Sequence, residues 1–373
     1  MFKVNKKSIL FHNPDYHCTF FYQTELRKLG WKAEIFVSKS YPESLLYSDD
    51  QILRATDFTK LDKVNYLIWF MCNFFRYKYI FYYGRPYSFS NLFKSVRIKL
   101  NHDPLFVLLK LCRKKIIYLP SGCRDEFTKA SFSLFDNGNI CRNCGIFDQC
   151  NDSSNNRNLH LVNKYADLVI GTGFTEPSIR NLKHMKWKSF DLKVFNSNII
   201  IPEKYVMKDN GNFKILHATS LKNRQNSNKN IKGSRFVFDA ISRLRSEGYS
   251  CELVFVNDVK SKEMKYFQVQ ADLIVDQLIY GHWGSSALEG VALGKPVICY
   301  FNDEWKNNYI RNFSIESWPF IEANTASIYT VIKNLLDNPN LLLEYSELSK
   351  DFAAQHLNVE VNAKEFVKYL ELI

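Results

Sequence analysis

The chain lacks any apolar run long enough to cross a bilayer. Its longest uncharged apolar stretch is "VNYLIWFMCNFF", Val64 to Phe75, closed off by Arg76 and Lys78. A spanning helix needs about twenty such residues. The opening residues do not read as a secretory leader. "MFKVNKKSILFHNPDYHC" is positively charged, but only Ile9 to His12 follow before the polar Asn13-Pro14-Asp15 break. The expectation is a cytoplasmic protein that can also sit peripherally on the inner face of a membrane. Acids are in deficit: 38 Asp and Glu face 50 Lys and Arg, for a net charge of +12. Such a surface suits nucleic acid, an anionic membrane face or phosphorylated small molecules. No helix reads as a continuous basic stripe and no nucleic-acid motif is present, which disfavours the first partner. There is no solenoid-type repeat. The nine cysteines are an odd number without a leader. That argues for reduced thiols, metal binding or both, not a disulfide framework.

What is present is alternation. "SILFHN" (Ser8 to Asn13), "KAEIFVS", "YKYIFYYG", "KKIIYLPSG" and "ADLVIGTG" read as strands, with a helical "CTFFYQTELRKLG" after the first. A polar, proline-containing segment, Asn196 to Asn212, reads as a junction. The pattern then restarts. "FKILHATS", "CELVFVN", "DLIVDQLI" and Val297 to Phe301 are the strands, and helices finish the chain. The expected fold class is α/β, with two doubly wound, Rossmann-like domains facing across a cleft. The expected boundaries are 1–205, 206–355, and a C-terminal helix at 356–373 packing back on the first domain. A cysteine-rich insertion falls at 123–150.

Three groupings carry chemistry. In the first, a polar loop with Lys222, Arg224 and Lys229 leads to Lys232-Gly233-Ser234, which opens a helix. Free N–H groups and the helix dipole attract phosphate there. The plain alternative is a solvated basic loop. The second is "GHWGSSALEGVALGKPVICYF". Gly281 and Gly284 let backbone approach a ligand, Ser285 or Ser286 can cap the next helix, and Glu289 follows in about its first turn. Its carboxylate can accept hydrogen bonds from a ribose diol. Alternatively, it is an acid favoured near a helix start. The third is Cys123, Cys141, Cys144 and Cys150, whose spacing suits a structural zinc or else leaves free buried thiols.

The first two groupings together resemble the C-terminal domain of GT-B glycosyltransferases, most closely the large family-4 group of retaining, nucleotide-sugar-dependent enzymes. Trp283-Gly284 is similar to that family's Phe-Gly, Glu289 to its second Glu, and Gly294-Lys295-Pro296-Val297 to its closing Gly-x-Pro-Val. The resemblance covers residues 213 to 301 and extends more loosely elsewhere, through "GWKAEIFVS" and "NKYADLVIGTG". It implies transfer of a sugar from a nucleotide diphosphate to a glycan or lipid-linked acceptor, in surface polysaccharide assembly, with no metal needed for catalysis. It also implies that Glu289 binds the ribose. Arg224, Lys232 and Gly233 would hold the diphosphate, together with Gly284, Ser285 and Ser286. On the acceptor side, Asn13, Gly122 and Arg124 are expected to line the cleft. The family's first Glu falls at Gly281. That absence leaves Asp276, His282 and Asp125 as catalytic candidates, though His282 also reads as a surface histidine and Asp125 as a helix cap. Two other readings are a catalytically silent nucleotide- or glycan-binding GT-B scaffold and a basic nucleic-acid binder built on a zinc module.

Overall fold

The computed structural model describes residues 5–37, 43–48, 52–54, 62–84, 104–123, 129–136, 139–145, 147–174, 179–219, 230–257 and 259–373. Two parallel sheets organise them. The first contains β1 (Asn5–His12), β2 (Lys32–Val37), β3 (Ile52–Arg54), β4 (Tyr77–Tyr83), β5 (Lys115–Leu119), β6 (Leu168–Gly171) and β7 (Leu182–His184), in the order β3-β2-β1-β4-β5-β6-β7. The second contains β8 (Phe213–Thr219), β9 (Cys251–Asn257), β10 (Leu273–Val275), β11 (Val297–Cys299) and β12 (Phe320–Glu322), in the order β12-β11-β10-β8-β9. Strand order reverses beside β1 in one sheet and beside β8 in the other. Such switch points open a crevice at the carboxyl ends of the strands.

The central strands are apolar through their middles because both sheet faces are covered there. Ile9 and Phe11 of β1 join one core cluster while Leu10 joins another. In the second sheet, Ile274 and Val297 face the first of these clusters, whereas Leu273, Val275 and Ile298 face a third. This is the two-residue period of strand side chains. The shared cluster runs from Phe11 and Phe81 through Trp187 and Phe174 to Trp283 and Phe320, so one apolar mass bridges the two sheets.

The ends of the chain fasten the same region. The last helix, Val359–Leu372, lies against the first, Tyr16–Lys28: the Phe366 ring meets Tyr22, Phe81 and Trp187 edge-on. Tyr79 Oη donates to the Leu370 carbonyl at 2.6 Å. The backbone of Phe190 pairs with the turn before that helix, donating to the Leu357 carbonyl at 2.7 Å and accepting from Val359 N–H at 3.1 Å.

Three expectations change. β3, β7 and β12 are absent from the sequence reading; each has three residues and lies at a sheet edge, too short to show alternation. The strand expected over "DLIVDQLI" is regular only over Leu273–Val275, although Asp276 N–H still donates to the Ile298 carbonyl. The final helical stretch divides at Asn338, where Pro339 starts a new helix, Pro339–His356. No helix among the described residues is long and apolar enough to cross a membrane.

Candidate functional site

A cavity of about 750 Å³ lies at the carboxyl ends of both sheets and takes its walls from both halves of the chain. Asp15, Tyr16, Tyr83, Ser121, Gly122, Lys186 and Lys188 come from the first half. Lys232, Gln277, His282, Gly284, Ser285, Ser286 and Glu289 come from the second.

The Lys232 corner is built by a proton-ordered chain. Buried His217 on β8 has Nδ1 2.8 Å from the Val275 carbonyl. That carbonyl can only accept, so Nδ1 carries the proton and Nε2 accepts from Ser234 Oγ at 2.8 Å. Ser234 Oγ accepts in turn from Asn230 Nδ2 at 2.8 Å, and Lys232 N–H donates to Asn230 Oδ1 at 2.9 Å. Burial holds His217 down to about 4, with the Lys232 charge adding to the effect. Gly233 starts the helix Ser234–Ser246 at φ +74, and a Cβ there would stand 3.0 Å from Leu278 Cβ. Glycine is therefore required on both counts.

Lys232 Nζ reaches Asp276 Oδ1 at 2.6 Å, and Asp276 Oδ2 accepts from Gly284 N–H at 2.6 Å. Asp276 is fully enclosed. It therefore ties the lysine to the glycine loop, with both carboxylate oxygens engaged. Gly284, and not Ser285 or Ser286, is the N-cap of the helix Ser285–Ala292, and no side chain caps it. The serines occupy the first turn, where N–H groups have no acceptor within the helix.

Glu289 lies in the second turn of that helix, not the first, and is 5% exposed. It is therefore not placed for the helix dipole. Gln268 Nε2 donates to Glu289 Oε2 at 3.0 Å and to the Ser286 carbonyl at 3.2 Å. His17, from the first helix of the other half, has Nδ1 3.5 Å from Glu289 Oε1. Burial pulls His17 down to about 3, helped by Lys188 and Lys265, so the imidazole is neutral and the two are not an ion pair. Burial also pushes the Glu289 carboxyl up to about 8. Around neutral pH the empty cavity thus holds a protonated acid beside a neutral ring.

His282 is half-buried, its ring stacked on Phe174 at 4.8 Å. Nδ1 stands 2.8 Å from the Trp283 carbonyl, which leaves Nε2 as the acceptor. Burial lowers it to about 4. Gly281, where an acid is expected from the resemblance, has φ +94, and a Cβ on it would stand 3.2 Å from Asn302 Cβ. The backbone and its neighbour both oppose a side chain there. Gly281→Glu is expected to lower stability by about 1–3 kcal/mol, read as a lower urea midpoint. An unchanged midpoint would contradict this account of the loop.

Gly122 lines the cavity with φ +119 and open space around it. Asn13 takes a left-handed φ of 62 after β1 and is not among the lining residues; its neighbours Asp15 and Tyr16 are. Arg124, Asp125 and Arg224 lie outside the described residues. Cys123, Cys141, Cys144 and Cys150 are half-buried and none is in a disulfide. Among the described residues no three His, Cys, Asp or Glu side chains gather as metal ligands.

Sequence reasoning missed Asp15, Lys188, Gln268 and His17. The Asn-Pro-Asp break at the end of the first strand was a signal for Asp15. Nothing local marks the others, because their partners are distant in the chain.

No family model and no curated sequence matches the chain. Solved structures do match. HepE of Anabaena, in complex with UDP-glucose, is 11% identical over 98% of this chain and 100% of its own, with a TM-score of 0.62. Sucrose-phosphate synthase of Thermosynechococcus elongatus is 10% identical over 98% of each chain, also at 0.62. WaaG, a glycosyltransferase involved in lipopolysaccharide biosynthesis, is 10% identical over 97% of this chain and 99% of its own, at 0.54. Two parallel sheets facing across a cleft, matched over nearly their whole length by these structures, give this chain the GT-B glycosyltransferase fold.

Proposed function

We propose that the protein is a glycosyltransferase that moves a sugar, with retention, from a nucleotide diphosphate to a glycan or lipid-linked acceptor in surface polysaccharide assembly. The observation that carries this reading is the grouping of Lys232, the helix start at Ser285 and the buried Glu289 on one wall of one cavity. A nucleotide diphosphate needs a cation and free N–H groups for its phosphates, and an acceptor for its ribose hydroxyls. HepE was solved with UDP-glucose bound, which supports the same use of this cleft. Lys232 and the helix start would stabilise the departing diphosphate as charge develops on it. His282 Nε2, unprotonated and on the same wall, would accept the acceptor hydroxyl's proton. Asp276 is already held through both oxygens and serves to position Lys232 and Gly284. The basic surface suits an acceptor at an anionic membrane face.

A second reading, a silent GT-B scaffold, is favoured by Gly281, which supplies no acid near the sugar. Incubation with a panel of nucleotide sugars and membrane extract separates the two. Release of nucleoside diphosphate from one sugar nucleotide is expected. Binding without turnover of any of them would favour the scaffold.

A further inference from the structure

Of the three described lysines that line the cavity, Lys188 and Lys232 come from different halves of the chain and are anchored in the same manner. In the second half, Lys232 Nζ bonds Asp276 at 2.6 Å. In the first, Lys188 Nζ reaches both oxygens of Asp15 at 2.7 Å. Asp15 and Asp276 are both fully enclosed. Each is also fixed by an N–H donor: Trp187 Nε1 donates to Asp15 Oδ2 at 3.2 Å, and Gly284 N–H to Asp276 Oδ2 at 2.6 Å. The Asp15 backbone N–H donates to Thr19 Oγ1 at 2.7 Å, which fixes the main chain of Asp15 at the start of the first helix.

Lys188 does more than neutralise Asp15. Its side chain remains 33% exposed and lines the cavity. An ammonium has three donors, so a further acceptor can bind. Burial works against its charge, but the Asp15 carboxylate outweighs this and holds Lys188 above the usual lysine range. It lines the same cavity as Lys232, Gly284 and Glu289, from the wall that the first half of the chain supplies.

We propose that Lys188 is a phosphate-binding residue of the sugar-donor site, clamping the diphosphate against Lys232 from the opposite half of the chain. The diphosphate then joins two rigid walls, each with its cation held by a buried aspartate. This rests on the sugar-donor reading above.

The test compares a nucleoside diphosphate with its own nucleoside. UDP, GDP and ADP are titrated into the wild type, and the tightest binder is carried forward. Lys188→Gln leaves Asp15 buried without its partner, which can unfold the chain. The Asp15→Asn, Lys188→Gln double variant removes both charges and keeps the shape. In the folded variants the diphosphate should bind roughly ten- to a hundredfold more weakly, with nucleoside affinity unchanged. Unchanged diphosphate affinity in the folded double variant would overturn the clamp alone. If the wild type binds none of the three diphosphates, the sugar-donor reading falls, and the clamp with it.

Discussion

Binding of the nucleotide sugar is expected to strengthen about tenfold per pH unit from pH 6 to 8 and then level off. Glu289 is the cause. Burial raises its carboxyl to about 8, so the empty site is protonated below that pH. A ribose diol donates two hydrogen bonds, and the ionised carboxylate is the form that accepts both. Binding below pH 8 must therefore release a proton. The diphosphate of a nucleotide sugar is a diester with no proton to lose in this range, so the slope reports the protein. Glu289→Gln should abolish the slope and weaken binding roughly ten- to a hundredfold at pH 8. Isothermal titration at several pH values reads both effects. A wild-type slope that survives in the variant would assign the proton elsewhere.

The second large effect is on stability. His12, His17 and His217 are enclosed, and burial lowers them to about 3, 3 and 4. In the unfolded chain they titrate near 6.5. Below that pH the unfolded chain takes up protons that the folded chain refuses. Stability is therefore full above about 6.5 and falls as pH drops toward the folded values. At pH 5 each histidine costs about 2 kcal/mol, or about 6 kcal/mol for the three. That is comparable to the whole stability of an ordinary domain, about 5–15 kcal/mol. Urea midpoints should fall steeply between pH 7 and 5. A flat profile would mean that these rings are reached by protons in the folded state.

Much of the architecture is legible in the sequence. Long central strands such as "SILFHN" and "FKILHATS" announce themselves, because burial on both faces gives each an unbroken apolar run, Ile9–Phe11 and Ile215–Leu216, at its middle. The edge strands β3, β7 and β12 do not, since three residues carry no period. Glu289, Lys232 and Gly284 were legible because they share short segments with glycines and helix starts. Their burial was not. The neutral state of Glu289 comes from burial, against which the Gln268 hydrogen bond works; Gln268 and the His17 ring beside the carboxyl lie 21 positions and 272 positions away in the chain. The same holds for Lys188, whose partner Asp15 is 173 positions away. Gly281 looked like a missing acid; the structure gives it a left-handed backbone against Asn302, so glycine there is a requirement of the loop.

The most direct test of the central assignment pairs a change in the protein with a change in the ligand. The bound nucleotide and its 2′,3′-dideoxy analogue are titrated into the wild type and into Glu289→Gln at pH 8. If Glu289 holds the ribose, the wild type should prefer the natural nucleotide by roughly tenfold or more, and the variant should lose most of that preference. Equal preference in both proteins would show that the ribose hydroxyls are bound elsewhere and would contradict the assignment.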